Sequence, residues 1–463
     1  MFASEVYVSR RKKLKEILKG GILLFPGNGE MAYNYKGNTY AFRQDSSFLY
    51  FFGVDQPGLT GVIDVDQGKD YIFGNDLDLD DIIWTGPQPS VARKSLTAGI
   101  LHTGTLAELE HYISSAIKQS RKVLYLPPYR AETLLLLEGL LGIQHTSVSN
   151  NASVELIKAI AALRSVKEPV EIEEIEKMAD VAYEMHTAVM KNAKPGLREK
   201  FLTGLVEGIA SSYGYGISFP VILSIHGETL HNHHHGNILK EGDLLITDAG
   251  AESERYYASD ITRTIPVSGK FSARQRDIYQ IVLNANMEVI RNARPGVPYR
   301  DMHFLASRTI ASGLKDLGLM KGSVDDAVAE GAHALFMPHG LGHMLGLDVH
   351  DMENLGEDYI GYNEEFKRSG QFGTAYLRLA KPLEPGYVLT DEPGIYFIPE
   401  LINLWKKEKK FESFIDYVKT ESYIGFGGVR IEDDLLITSV GCRVLGKPIP
   451  KTIDEIESMM HRG

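Results

Sequence analysis

The sequence predicts an α/β domain over residues 1–163, followed by an α+β domain over residues 164–463 with an internal pseudo-two-fold repeat. Three observations carry this reading. Apolar strand-like runs alternate with helical ones in the first third of the chain. Near residue 165 the texture changes to long, capped helical patterns. Those patterns, and the segments that follow them, then recur in the same order.

A chain of 463 residues is too long for one ordinary core, so two domains are expected. In the first, "GILLFPG", "TGVIDVD" and "KVLYLPP" read as strands, and "ETLLLLEGLLG" and "ASVELIKAIAAL" as helices. Ser165 and Glu168 then read as a capping box. Ile172, Ile175, Ala179, Ala182, Met185 and Val189 recur behind them at helical spacing until the breaker "NAKPG" at 192–196. A second helix opens at Ser272 and Gln275 and ends at "NARPG", 292–296.

The duplication continues beyond the helices. "EGDLLITDAG" (241–250) follows the first and "EPGYVLTDEPG" (384–394) the second. In each, one Gly stands six residues before an acid and another two residues after it; the acids are Asp248 and Glu392. In "SDITRTIPVSG" and "IEDDLLITSVG", Asp260 and Glu432 each precede the closing Gly by nine residues. Taken singly, each acid reads as a turn or strand-end residue. Matching stations in two halves that pack about a pseudo-two-fold axis would bring all four together. Four gathered carboxylates repel unless cations neutralise them, and carboxylate oxygens suit two hard divalent ions such as Mn²⁺ or Mg²⁺. In "GGVRIEDD", strand alternation places Arg430 and Glu432 on one face. The stretch "MPHGLGHMLGLDVHD" adds His339, His343 and His350, spaced by Gly and Met rather than by charge, as candidates to line a site.

Composition excludes other classes. With 49 basic and 61 acidic residues the net charge is −12, which argues against a nucleic-acid or anionic-membrane surface. No apolar run is long enough to span a membrane, and no signal-peptide core follows the N-terminal Arg pair. Cys442 is the one cysteine, so an internal disulfide and a thiolate metal cluster are both excluded. A cytoplasmic protein is expected.

The segments "MPHGLGHMLGLDVHD", "LTDEPGIYFI", "GFGGVRIEDDLLIT" and "DAGAE…YYASDITRTIPVSGKF" resemble the signature segments of the pita-bread dinuclear metallopeptidases acting on Xaa-Pro bonds, the prolidase and aminopeptidase P family. "AFRQDSSFLYFFGVDQPGLTGVID" (41–63) resembles that family's N-terminal domain, so the likeness spans nearly the whole chain. The resemblance implies a pita-bread catalytic domain that binds two divalent ions, commonly Mn²⁺, through Asp248, Asp260, His343, Glu392 and Glu432, with Asp260 and Glu432 bridging. It implies roles in substrate contact or proton transfer for His231, His339 and His350, and a supporting role for Arg430. Val221 follows Pro220 where the family carries a tyrosine. It also implies a homodimer and a proline-containing di- or oligopeptide substrate. Within "HNHHHGN" (231–237), His231 is the substrate-contacting candidate, and His233, His234 and His235 read as loop residues near the cleft mouth.

The resemblance leaves two activities open. A dipeptidase must recognise a free carboxylate directly after proline, and Arg378, fourteen residues before Glu392, stands where prolidases place such an arginine. The long segments 352–383 and 398–424 also resemble the eukaryotic-type prolidase layout, which favours an Xaa-Pro dipeptidase over an Xaa-Pro aminopeptidase acting on longer peptides. A non-catalytic peptide-binding relative would be expected to have lost metal ligands, and a creatinase-like one to lack the carboxylate set.

Overall fold

The computed structural model describes residues 1–461, which divide into two units: Met1–Arg164 with Met352–Ile360, and Ser165–Asp351 with the described residues from Gly361 onward. The first unit is built on a five-stranded mixed sheet. Its strands lie in the order His102–Gly104, Lys69–Phe73, Thr60–Asp64, Ile22–Pro26, Val123–Tyr125. The three inner strands run antiparallel and both outermost pairings are parallel. Helix Leu106–Lys118 starts at a reciprocal cap between Thr105 and Glu108. It turns Leu109, Ile113 and Ala116, spaced by four and three residues, onto a core containing Ile22, Leu24 and Val62.

The second unit carries two helix pairs, Pro169–Asn192 with Glu199–Tyr213 and Ala273–Asn292 with Tyr299–Asp316. Ser272 and Gln275 cap the third of these helices reciprocally, as the sequence predicts. The first differs from expectation. Ser165 closes the preceding helix, Val154–Ser165, and the N-cap is Glu168, whose backbone N–H donates to Glu171 Oε2 at 2.8 Å. Pro169 explains the shift. The residue before a proline is driven out of the helical region, so Glu168 sits at ψ 155° and a fresh helix begins with the proline at its first position.

Both long helices end at their Pro-Gly breakers, and the duplication is visible in the hydrogen bonds beyond them. Gly196 N–H donates to Leu239 O and Gly296 N–H to Leu383 O, both at 2.8 Å. Leu239 N–H returns to Leu197 O at 2.8 Å and Leu383 N–H to Val297 O at 2.9 Å. Both glycines are left-handed, at φ +91° and +82°, a conformation that side-chain-bearing residues rarely adopt. Each half then forms an antiparallel hairpin. Leu244–Asp248 pairs with Thr262–Pro266, placing Asp248 opposite Thr262, and Val388–Asp391 pairs with Asp433–Ile437, placing Asp391 opposite Asp433. The symmetry stops at the third strand. Ile222–Ser224 comes before the first hairpin and joins Leu244–Asp248, whereas Cys442–Val444 comes after the second and joins Asp433–Ile437. Among the described residues no helix is long and apolar enough to cross a membrane.

His303, on the helix Tyr299–Asp316, and His333, on the short 3-10 turn Ala332–Leu335, are fully buried with ring centroids 6.1 Å apart. Burial, helped by His333, pushes His303 down to about 3, and burial pushes His333 down to about 4. In the unfolded chain both titrate near 6.5. Both are therefore neutral in either state above that pH and cost nothing there. As the pH falls from 6.5 toward 4 the unfolded chain takes up protons that the folded chain refuses, and each histidine removes roughly 1.4 kcal/mol of stability per pH unit. Between pH 7 and 4.5 the denaturant midpoint of wild type is expected to fall more steeply than that of His333→Phe. Parallel pH dependences would contradict this assignment.

Candidate metal centre

Strand geometry delivers the acids. Asp248 ends its strand and Asp260 lies two residues before the strand opposite; Glu392 follows Asp391, and Glu432 precedes Asp433, at the same end of the second hairpin. The hairpins are stitched together where the acids emerge: Glu432 N–H donates to Thr262 O at 3.0 Å, and Arg430 N–H to Thr264 Oγ1 at 3.1 Å. All four carboxylates line one cavity of about 580 Å³.

His343 reaches the same cavity from an irregular segment whose glycines are explained by packing. A Cβ on Gly342 would lie 2.0 Å from Thr390 O, and one on Gly340 would lie 2.7 Å from the Leu377 Cα. Only glycine lets this segment run against the backbone of Val388–Asp391, where His343 N–H donates to Thr390 Oγ1 at 3.1 Å and Thr390 N–H to His343 O at 3.0 Å. His343 Nδ1 lies 3.0 Å from Met344 O, which assigns the proton to Nδ1 and leaves Nε2 as the lone-pair atom facing the acids. That Nε2 is 3.4 Å from Asp260 Oδ2 and 4.0 Å from Glu392 Oε1.

Three overlapping groups have donor atoms within 4.8 Å of one another: Asp248, Asp260 and Glu432; His343, Glu392 and Glu432; and Asp260, His343 and His350. Asp260, His343 and Glu432 each belong to two of these groups, so the three sets of donors form one continuous cluster. His350 stacks on His343 at 3.8 Å between ring centroids and 18° between planes, so it stands near enough to join the donors. The electrostatics fit a cation. Burial, reinforced by Asp248 and other acids, pushes Asp260 well above the usual carboxylate range; burial and Asp260 push Glu432 up likewise. Asp248 Oδ1 is buried without a hydrogen-bond partner among the described residues. Two divalent ions would balance four such carboxylates and occupy that orphaned oxygen.

Beside the acids runs a chain of oriented polar groups. Arg430 Nη2 pairs with Asp248 Oδ2 at 2.6 Å, its Nη1 donates to Tyr396 Oη at 2.9 Å, and its Nε donates to Thr262 Oγ1 at 3.0 Å. Thr262 in turn donates to Glu432 Oε2 at 2.6 Å. Tyr396 Oη lies 2.9 Å from His339 Nε2, while His339 Nδ1 lies 2.7 Å from Gly340 O. With Nδ1 donating to that carbonyl, Nε2 accepts from the tyrosine hydroxyl. The ring is held neutral: burial, then Arg430, pushes it down to about 3. His231 also lines the cavity, its basicity lowered by burial and then by Arg430, and Arg378 lines it too.

All ten residues singled out in the sequence thus reach one cavity. The sequence reading passed over Tyr396 and Thr262. Tyr396 was legible as the residue four beyond Glu392 on a short strand, where alternation returns the side chain to the same face; Thr262 carried no such signal. Val221 is buried away from the cavity, and Phe219 and Pro220 form the wall beside it. His233 touches the cavity, while His234 and His235 line a separate hollow with Lys200 and Glu207.

Comparison with known proteins places this geometry. Residues 173–439 match the family described as Metallopeptidase family M24, and residues 7–125 match Aminopeptidase P, N-terminal domain. The chain is 34% identical to the Xaa-Pro dipeptidase of Homo sapiens, over 97% of this chain and 91% of that one. It is 31% identical to a probable Xaa-Pro aminopeptidase of Uncinocarpus reesii, over 96% and 90%. The structure superposes on a substrate complex of Escherichia coli aminopeptidase P with a TM-score of 0.81 at 28% identity, covering 100% of this chain and 99% of that one. The matched residues include every acidic donor of the cavity and His343, and the chain belongs to metallopeptidase family M24.

Proposed function

We propose that the chain hydrolyses the peptide bond before proline, with Xaa-Pro dipeptides as its preferred substrates and two Mn²⁺ ions held by Asp248, Asp260, His343, Glu392 and Glu432. The observation that carries this reading is the set of overlapping donor groups in a cavity whose wall also offers the apolar side chains Phe219, Phe372, Ile398 and Leu401. When bound, the ions supply Lewis acidity toward the scissile carbonyl and acidify the attacking water. The chain's own groups do the rest. Glu392 is the carboxylate that accepts the water's proton and passes it to the departing nitrogen. That nitrogen belongs to a tertiary amide with no hydrogen of its own, so it must be protonated as it leaves. His231 and His350 stand on the cavity wall to donate to the carbonyl oxygen as charge develops. Tyr396 and Arg430 hold His339 and Asp248 in place through the bonds described above. The apolar wall accepts the pyrrolidine ring, and Arg378 supplies a cation for the dipeptide's free carboxylate. The same reading includes a homodimer, measurable by light scattering.

The likeness to an Xaa-Pro aminopeptidase and to aminopeptidase P structures supports a second reading, in which longer Xaa-Pro peptides are preferred. Rates on an Xaa-Pro dipeptide and on the matching Xaa-Pro-Xaa tripeptide in Mn²⁺ buffer separate the two. The dipeptide is expected to show a kcat/KM higher by roughly 10-fold or more, the effect of one charge-assisted contact. A tripeptide advantage would select the second reading, and no cleavage of either would overturn the proposal.

A further inference from the structure

Behind the metal-facing carboxylates lies a second layer of buried charge. In the paired strands Val388–Asp391 and Asp433–Ile437, Asp391 stands opposite Asp433. Each is the immediate neighbour of a cavity acid, Glu392 or Glu432. Because successive strand side chains point to opposite faces, Asp391 and Asp433 are turned away from the cavity. Neither is part of its lining. Two acids face to face in a buried layer repel, and the fold answers by placing two cations on Asp433, while burial and Asp433 push Asp391 well above the usual carboxylate range. Arg263 Nη2 pairs with Asp433 Oδ1 at 2.7 Å, and Lys451 Nζ with Asp433 Oδ2 at 2.5 Å. Asn286 joins the set, donating to Asp391 Oδ2 at 3.0 Å and accepting from Lys451 Nζ at 2.9 Å.

The lysine comes from the C-terminal segment, which is itself tied to the layer. Arg263 donates to Pro450 O at 3.1 Å and Ile449 O at 3.3 Å, and its Nη1 donates to Glu432 O at 2.6 Å. Tyr279 Oη donates to Lys451 O at 2.8 Å. Directly after Lys451, Thr452 caps the helix Ile453–Met460 through a reciprocal pair with Glu455.

We infer that Lys451 is a positioning residue for the metal centre: the C-terminal segment drives its ammonium between Asp433 and Asn286 and thereby fixes the spacing and register of Glu392 and Glu432. The inference rests on the reading that those two glutamates hold the ions. A one-residue slip of either strand against the other would turn that strand's glutamate out of the cavity, and the contacts of Asp433 with Arg263 and Lys451 and of Asp391 with Asn286 oppose it. Arg263 cannot serve alone, because its guanidinium is already shared among Asp433 and four backbone carbonyls.

Mn²⁺ titration of the full-length chain by calorimetry tests this. Lys451→Met is expected to bind Mn²⁺ about 10–100-fold more weakly, the usual effect of losing a group that orients a metal ligand, with Lys451→Arg recovering most of the loss. KM for the peptide is expected to hold at saturating metal while kcat falls. If Lys451→Met does not fold, Lys451→Gln keeps an N–H donor beside Asp433, leaves the Arg263–Asp433 pair in place, removes the ammonium charge alone, and is expected to show the same weakened binding. Wild-type affinity in a folded variant, of either kind, would overturn the inference while leaving the metal reading intact. A wild-type chain that takes up no Mn²⁺ would overturn both.

Discussion

Asp260→Asn and Glu432→Gln are each expected to reduce the bound metal below two equivalents and to slow peptide hydrolysis by on the order of 10³-fold, because several kcal/mol of transition-state stabilisation depend on a complete dinuclear centre. Both residues belong to two of the three overlapping donor groups, so one substitution weakens two positions at once. Both replacements preserve shape, and Gln can still accept the hydrogen bond that Thr262 donates to Glu432. A second, opposite effect distinguishes this loss from misfolding. In the metal-free protein, burial and neighbouring acids push Asp260 and Glu432 well up, which is a sign that their charged forms are unfavourable there. The neutral amides remove that repulsion. Each variant in chelator is therefore expected to melt no lower than chelated wild type at neutral pH, while gaining less than wild type when Mn²⁺ is restored. Elemental analysis together with thermal melts decides the point. A variant with two metal equivalents and full activity would remove the residue from the centre.

How this site could be read before the fold was known follows from the duplication. Asp248 and Glu392, and Asp260 and Glu432, were legible because each pair repeats the same glycine spacing in two halves, and the strands place them at corresponding hairpin ends. The histidine segment was legible through its glycines, whose backbone contacts at Gly340 and Gly342 now explain them. Two kinds of feature escaped. Ser165 has the right residue type and spacing for a cap, but the backbone restriction imposed by Pro169 on Glu168 is stronger, and the helix starts three residues later. The residues that organise the centre from behind, Thr262, Asn286 and Lys451, have no periodicity. Their roles arise from contacts across more than a hundred residues of chain, except that Lys451 meets Asp433 only 18 residues away. Sequence spacing reports what lies on one strand or helix face. It does not report which face of another element will be packed against it.

Arg378→Ala is expected to lower kcat/KM for an Xaa-Pro dipeptide by about 10–100-fold, the value of a charge-assisted contact to a carboxylate at 1.5–3 kcal/mol, while changing the rate on an Xaa-Pro-Xaa tripeptide far less. The local structure makes this arginine a defined part of the wall. Leu377 and Leu379 on either side are buried, while Arg378 between them lines the cavity. Leu377 packs with Tyr362, Phe366 and Ala380, and its carbonyl accepts from the Tyr362 hydroxyl and from Arg368 Nη1. Ala380 N–H is bonded to Gly361 O at 2.8 Å, which secures the far side. Lysine carries the charge but not the planar fork, so Arg378→Lys should recover only part of the dipeptide rate. The comparison of substrates gives the test its force. In a dipeptide the carboxylate follows proline directly, whereas in a tripeptide that position is an uncharged amide, and a guanidinium gains little from it. Equal losses on both substrates would assign Arg378 to holding the cavity together and leave the dipeptide preference without its anchor. A selective loss would show that one side chain, within a donor set common to both activities, decides how long a peptide the cavity prefers.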